Sequence, residues 1–119
     1  LIRAVKENQS FCTTLDEMYR DFMHSEDFAD LIDRVLSSKG ANVALDCYSK
    51  SPISKTEIIQ LFRNRYGLKI SYSQETNAIQ ATGEKKNYYS KNHLAADFGY
   101  VPSYSSHTAL IDVLSKILP

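Results

Sequence analysis

Tyr19-Arg20-Asp21-Phe22-Met23-His24-Ser25-Glu26-Asp27-Phe28-Ala29-Asp30 is a stretch in which a strand turns into a helix. The segment around Tyr19 to Met23 has strand character. Ser25, Glu26 and Asp27 then offer a cap and two carboxylates for the positive end of a helix. Phe28, Leu31, Ile32, Val35 and Leu36 follow at helical spacing, and Gly40 is read as the stop. His24 stands at the join, where a hydrogen bond from its ring fixes the turn.

Working outward, the same grammar repeats. Ile58, Leu61, Phe62 and Tyr66 mark a second helix, with Pro52 just before it, Ser54 and Glu57 spaced as a capping box, and Gly67 where a left-handed terminating residue belongs. Leu110, Val113, Leu114, Ile117 and Leu118 lie on one face of a last helix capped by Ser105 or Ser106. A short helix through Leu94, Ala95 and Phe98 ends at Gly99, ahead of Pro102, and Leu1 to Glu7 forms another. Strands are expected at Phe11 to Leu15, Tyr19 to Met23, Val43 to Tyr48 and Leu68 to Ser73, with one long loop from Gln74 to Asn87. About five helices and four short strands make a mixed α/β chain with an incomplete Rossmann sheet, read as one domain over residues 1–119.

Composition removes several classes of function. With 119 residues, 43% of them hydrophobic and 24% charged, the chain has the make-up of an ordinary folded domain with one core. Fourteen basic and fourteen acidic residues cancel and are interspersed. Lys85, Lys86 and Lys91 form the longest basic cluster, too small for the phosphate contacts that nucleic acid requires. Cys12 and Cys47 form no C-x-x-C motif, so neither a disulfide framework nor a zinc site is indicated, and a reduced, cytoplasmic setting is the simplest inference. No apolar run approaches the ~20 residues of a membrane span, so no membrane partner is expected. Leu1 already lies in an apolar-patterned segment with no initiator methionine, which leads us to expect further sequence upstream.

The opening stretch resembles the R-D-F/Y-x-H-x-x-D-x-A segment of the extended short-chain dehydrogenase/reductase family, of the NAD-dependent epimerase/dehydratase type. In that family a helix, a strand and a turn with a capped helix come next, places that Val43 to Ser49 and Ser51 to Glu57 fill in order. Asp97-Phe98-Gly99-Tyr100-Val101-Pro102-Ser103-Tyr104-Ser105 is similar to its L-G-[WFY]-x-P-x-[YV]-S element. The resemblance runs from about Ile2 to Leu118. It implies the smaller, carboxyl-terminal lobe that closes over a nucleotide-sugar, with NAD or NADP held by an amino-terminal Rossmann lobe. Neither the glycine turn G-x-x-G-x-x-G nor a Y-x-x-x-K pair occurs in the sequence. This chain alone is therefore expected to bind no cofactor and to turn over no substrate.

The resemblance puts Arg20 where an arginine contacts the substrate's diphosphate, a role suited to a planar, permanently charged donor. The alternative is a strand-edge arginine paired locally with Asp21 or Glu17. Where the family has a second phosphate arginine, this sequence reads Ala81-Thr82-Gly83-Glu84-Lys85-Lys86. Lys85 or Lys86 supplies the charge there, or the pair is simply solvated. Tyr88 and Tyr89 beside them could stack on a sugar ring or a nucleobase, or pack as a strand edge or lid. Asp46-Cys47-Tyr48-Ser49-Lys50 replaces a glycine-rich run of the family, and packing is the favoured reading of Tyr48. His24, His93 and His107 lack metal-ligand spacing. The rival from another class is a non-catalytic interaction or dimerisation module, a homodimer meeting through the apolar faces around Leu31 and Leu114.

Overall fold

The computed structural model describes residues 1–73 and 86–118. Its elements run α1 (Ile2–Lys6), β1 (Ser10–Thr13), β2 (Tyr19–Arg20), α2 (Ser25–Ser37), β3 (Ile53–Ser54), α3 (Lys55–Tyr66), β4 (Lys69–Tyr72), β5 (Asn87–Tyr88), a 3-10 helix (Leu94–Phe98) and α4 (Ser106–Ile117). The mixed α/β architecture expected from the sequence is present.

α3 forms as its punctuation dictates. Ser54 Oγ accepts from the Glu57 N–H at 3.1 Å while Glu57 Oε2 accepts from the Ser54 N–H at 2.8 Å, so two otherwise orphaned donors are satisfied reciprocally. Gly67 ends the helix at φ 65°, a conformation that a Cβ disfavours. Leu61 and Phe62 then face Leu68, Leu114 and Leu118 in one buried cluster, against which Leu1, Val5, Phe11, Ile58 and Ile70 pack. α4 enters that cluster after its own capping box between Ser105 and Thr108. β1 and β4 pair in parallel, Ser10 opposite Lys69 through Thr13 opposite Tyr72.

The second sheet is smaller. β2 is its middle strand, antiparallel to β3 and parallel to β5. Leu31, Tyr48, Ala95 and Tyr100 form a separate buried cluster beside it, so the described residues hold two apolar clusters rather than the one expected. Side chains bonded to backbone organise this half. Asp27, 3% exposed, accepts from the Ser103 and Tyr104 N–H groups at 2.7 and 3.1 Å.

Several expectations are corrected. Val43 to Tyr48 is not a strand; Leu45 and Cys47 are half-buried, with Ala44 and Asp46 exposed and Tyr48 buried, but no strand among the described residues pairs with them. The Tyr19 to Met23 strand is two residues long. α2 is capped by His24, whose side chain accepts from the Glu26 N–H, rather than by Ser25. It ends at Ser38, before Gly40 is reached. β3 and β5 have no counterpart in the expected strands. The Gln74–Asn87 loop lies outside the described residues except at its last two positions, of which Asn87 belongs to β5. Among the described residues no helix is long and apolar enough to cross a membrane.

Candidate functional site

Arg20 sits on the middle strand β2, half-buried. Its Nη1 donates to the Tyr19 carbonyl at 2.8 Å, and its guanidinium carbon lies 5.8 Å from the centre of the Tyr88 ring on the adjacent β5. The parallel pairing of β2 and β5, which sets Arg20 opposite Tyr88, brings this cation and ring together. The local alternative for Arg20 named Asp21 and Glu17, and both carboxylates are engaged elsewhere. Glu17 accepts from Thr56 Oγ1 at 2.5 Å and from the Met18 N–H at 3.1 Å, and the Thr56 hydrogen bond holds its pKa below the usual range.

Asp21 points to the other side of the strand. Its carboxylate accepts from the Ser49 N–H at 3.1 Å, from Ser106 Oγ at 2.9 Å and from Ser49 Oγ. Ser106 is fully buried and its hydroxyl also accepts from the Phe22 N–H at 2.8 Å. One carboxylate thus ties β2 to the 49–51 turn and to the start of α4, which fixes the strand that carries Arg20. No such role for Asp21 is legible in the sequence. The available signal was the clustering of serines at 49, 51 and 54 and at 103, 105 and 106, which carries no information about which carboxylate they meet.

Of the other residues expected at the site, Lys86 is exposed at the entry to β5, and its carbonyl accepts from the Tyr19 N–H at 2.7 Å. Lys85 lies outside the described residues. Tyr88 is 62% exposed over Arg20. Tyr89, Ser90 and Asp21 line two cavities in common. The cavity of about 520 Å³ is lined further by Met23, Leu45, Asp46, Cys47, Asn87 and Tyr88. The one of about 300 Å³ is lined by Tyr48, Ser49, Lys50, Pro52, Lys91 and His93. Ser90 Oγ donates to Asp46 at 2.5 Å, pinning the strap that Tyr89 sits on. A wider concavity of about 570 Å³ between α3 and the start of α4 holds none of the expected residues.

Tyr48 packs as the sequence suggested. It is buried, stacked on His93 at 4.5 Å between ring centres and met edge-on by Tyr100 at 5.2 Å. Tyr100 donates to the Tyr48 carbonyl at 2.7 Å, and burial pushes its pKa far up. Burial also raises the Cys47 thiol, which lies 3.4 Å from the Tyr100 hydroxyl. His24 fixes the strand-to-helix turn as expected: Nδ1 accepts from the Glu26 N–H, which leaves Nε2 as the donor to Asp112 at 2.9 Å. His93 and His107 are exposed at helix starts. Among the described residues no group of three or more His, Cys, Asp and Glu side chains is placed to hold a metal ion.

The architecture is that of a partial Rossmann-like α/β domain. No family model and no curated protein matches the sequence. Among solved structures the chain is similar to MoeE5 in complex with UDP-glucuronic acid and NAD, with a TM-score of 0.71 and 20% sequence identity. The match covers 93% of this chain and 37% of that one, so the chain spans well under half of its structural neighbour. The likeness shows a shared fold over most of this chain.

Proposed function

We propose that the chain is the carboxyl-terminal, substrate-side lobe of an NAD(P)-dependent epimerase or dehydratase acting on a nucleotide-sugar. The observation that carries the reading is the fold likeness over 93% of the chain to a protein solved with UDP-glucuronic acid and NAD. Arg20 contacts the diphosphate. Tyr88 holds the guanidinium in place and Tyr89 packs on the sugar or base, while Lys85 and Lys86 replace the second phosphate arginine as point charges. Hydride chemistry belongs to the nicotinamide of a Rossmann lobe, and this lobe orients the substrate against it.

Two surfaces suit such a partner lobe. α2 leaves Phe28, Ile32, Val35 and Leu36 between 37% and 77% exposed along one helical stripe. Residues 44–47 alternate between exposed and half-buried and have no strand partner among the described residues. A cofactor lobe that packed on the first and paired with the second would account for both.

The test is kinetic and uses the intact protein. Arg20→Ala raises KM for a nucleotide-diphosphate sugar about 10- to 100-fold, since a charged hydrogen bond contributes ~1.5–3 kcal/mol. Unchanged kinetics remove Arg20 from the site. The chain alone shows no heat of NAD binding, and micromolar affinity in that calorimetry overturns the division of labour between lobes.

A second reading, an interaction or dimerisation module, is favoured by the same exposed α2 stripe. Sedimentation of the chain separates the two. A dimer that Ile32→Asp dissolves, together with a coding sequence that has no glycine turn or Y-x-x-x-K upstream, supports the module.

A further inference from the structure

We propose that the cavity of about 300 Å³ on the Lys50 side of Tyr89 is a second ligand site, one that takes a phosphomonoester carried on a flat ring. It stands apart from Arg20, which lines neither cavity, shares only Tyr89 with the nucleotide-sugar reading and does not rest on it. Lys50 and Lys91 line it from two separate segments, and neither ammonium makes a hydrogen bond or ion pair among the described residues.

Both lysines start from fixed backbone. The Lys50 N–H donates to the Tyr104 carbonyl at 2.8 Å, next to the Ser49 N–H bound to Asp21. Lys91 lies between Ser90, held by Asp46, and Asn92, whose N–H donates to Ser90 Oγ at 2.9 Å. Two stems anchored at their bases lose less freedom on binding than two on a mobile loop.

Part of the lining is aromatic: the stacked Tyr48 and His93 rings, and Tyr89. Such a wall accepts a planar group, while two ammonium groups favour a dianion over a single carboxylate. Asp21 borders the cavity as well and subtracts one charge. Its oxygens already accept three hydrogen bonds, so it forms a fixed wall and does not compete as a ligand. The neighbouring cavity of about 520 Å³ has the opposite character, with Asp21 and Asp46 and no lysine or arginine in its lining. An anion is thereby directed to one side of Tyr89 and kept from the other.

Calorimetric titration of the 119-residue chain with phenyl phosphate tests the site. Saturable binding at one site is expected, tighter than for inorganic phosphate, and Lys50→Gln combined with Lys91→Gln weakens it about tenfold or more. Lys39→Gln combined with Lys69→Gln removes two exposed lysines outside the cavity and leaves binding unchanged. Three results overturn the proposal: no saturable binding, equal weakening by both pairs of substitutions, or loss of binding in Arg20→Ala, which would move the ligand to the other site. Loss of nucleotide-sugar kinetics in Arg20→Ala with phenyl phosphate binding intact keeps the two readings separable.

Discussion

The half of the molecule built on α3 and α4 and the half built on the 38–52 and 89–105 segments are held by different forces. In the first, Leu61, Phe62, Leu68, Leu114 and Leu118 close on one another, and the backbone is satisfied within helices and the β1–β4 pair. In the second, the buried cluster is four residues and the work falls to side chains that accept backbone N–H groups: Asp21 from Ser49, Asp27 from Ser103 and Tyr104, His24 from Glu26. Non-directional burial tolerates imperfect geometry, whereas a carboxylate that accepts two buried N–H groups fixes where they sit. Of the expected site residues, Arg20 and Tyr88 sit on the paired strands β2 and β5, and Tyr89 follows at the start of the second half, where positions are set by directed bonds.

The contrast predicts two large losses of different kind. Leu114→Ala, at a side chain 2% exposed, costs about 3–5 kcal/mol through lost burial and a cavity. Urea unfolding should show it as a lower midpoint with the fold otherwise intact. Asp27→Ala costs about 2 kcal/mol, because the Ser103 and Tyr104 N–H groups lose the buried carboxylate that accepts from both. Amide exchange at Ser103 and Tyr104 should rise far more than in Leu114→Ala. Equal exchange in both variants would mean that the second half is held by packing after all.

The same division decides what the sequence made legible. α3 could be read to within a residue, because Ser54, Glu57 and Gly67 act locally and the backbone around them obeys. α4 and the 3-10 helix followed for the same reason, with Ser105 and Gly99 at their ends. Val43 to Tyr48 has strand composition and alternation, but a strand exists only beside another, and no local signal says whether one is there. β3 and β5 are two residues each and too short for any period to register. At the site, Arg20 and Tyr88 could be singled out separately, yet their pairing comes from a parallel register 68 positions apart, a tertiary fact. The Asp21–Ser49–Ser106 node was out of reach because three ordinary polar residues carry no mark of being buried together.

Alkaline pH should loosen the second half first. Burial raises the pKa of the Cys47 thiol and of the Tyr48 and Tyr100 hydroxyls in the folded chain. Each neutral form is therefore favoured by folding. That contribution is whole below the unfolded pKa, about 8.5 for a thiol and about 10 for a phenol, and is lost as pH rises from there toward the folded value. The urea midpoint should fall between pH 8 and 9.5, and less steeply in Cys47→Ala, whose thiol cannot ionise. A midpoint flat to pH 9.5 in the parent chain would contradict the assignment of burial as the cause.

The smallest effect separates two glycines that look alike in the sequence, each placed at the end of an apolar helical stripe. Gly67 terminates α3 at φ 65°, where a Cβ meets the following backbone, so Gly67→Ala should cost about 1 kcal/mol although no other atom lies within 4 Å of the added carbon. Gly40 lies beyond the end of α2, outside the left-handed region and with open space around it. Gly40→Ala should then stabilise by about 0.5 kcal/mol, by reducing the freedom of the unfolded chain. Opposite signs in thermal unfolding are the expected result. A loss at both positions would mean that residue 40 terminates its helix as the periodicity of α2 suggests, and that the 38–52 segment begins as locally as α3 ends.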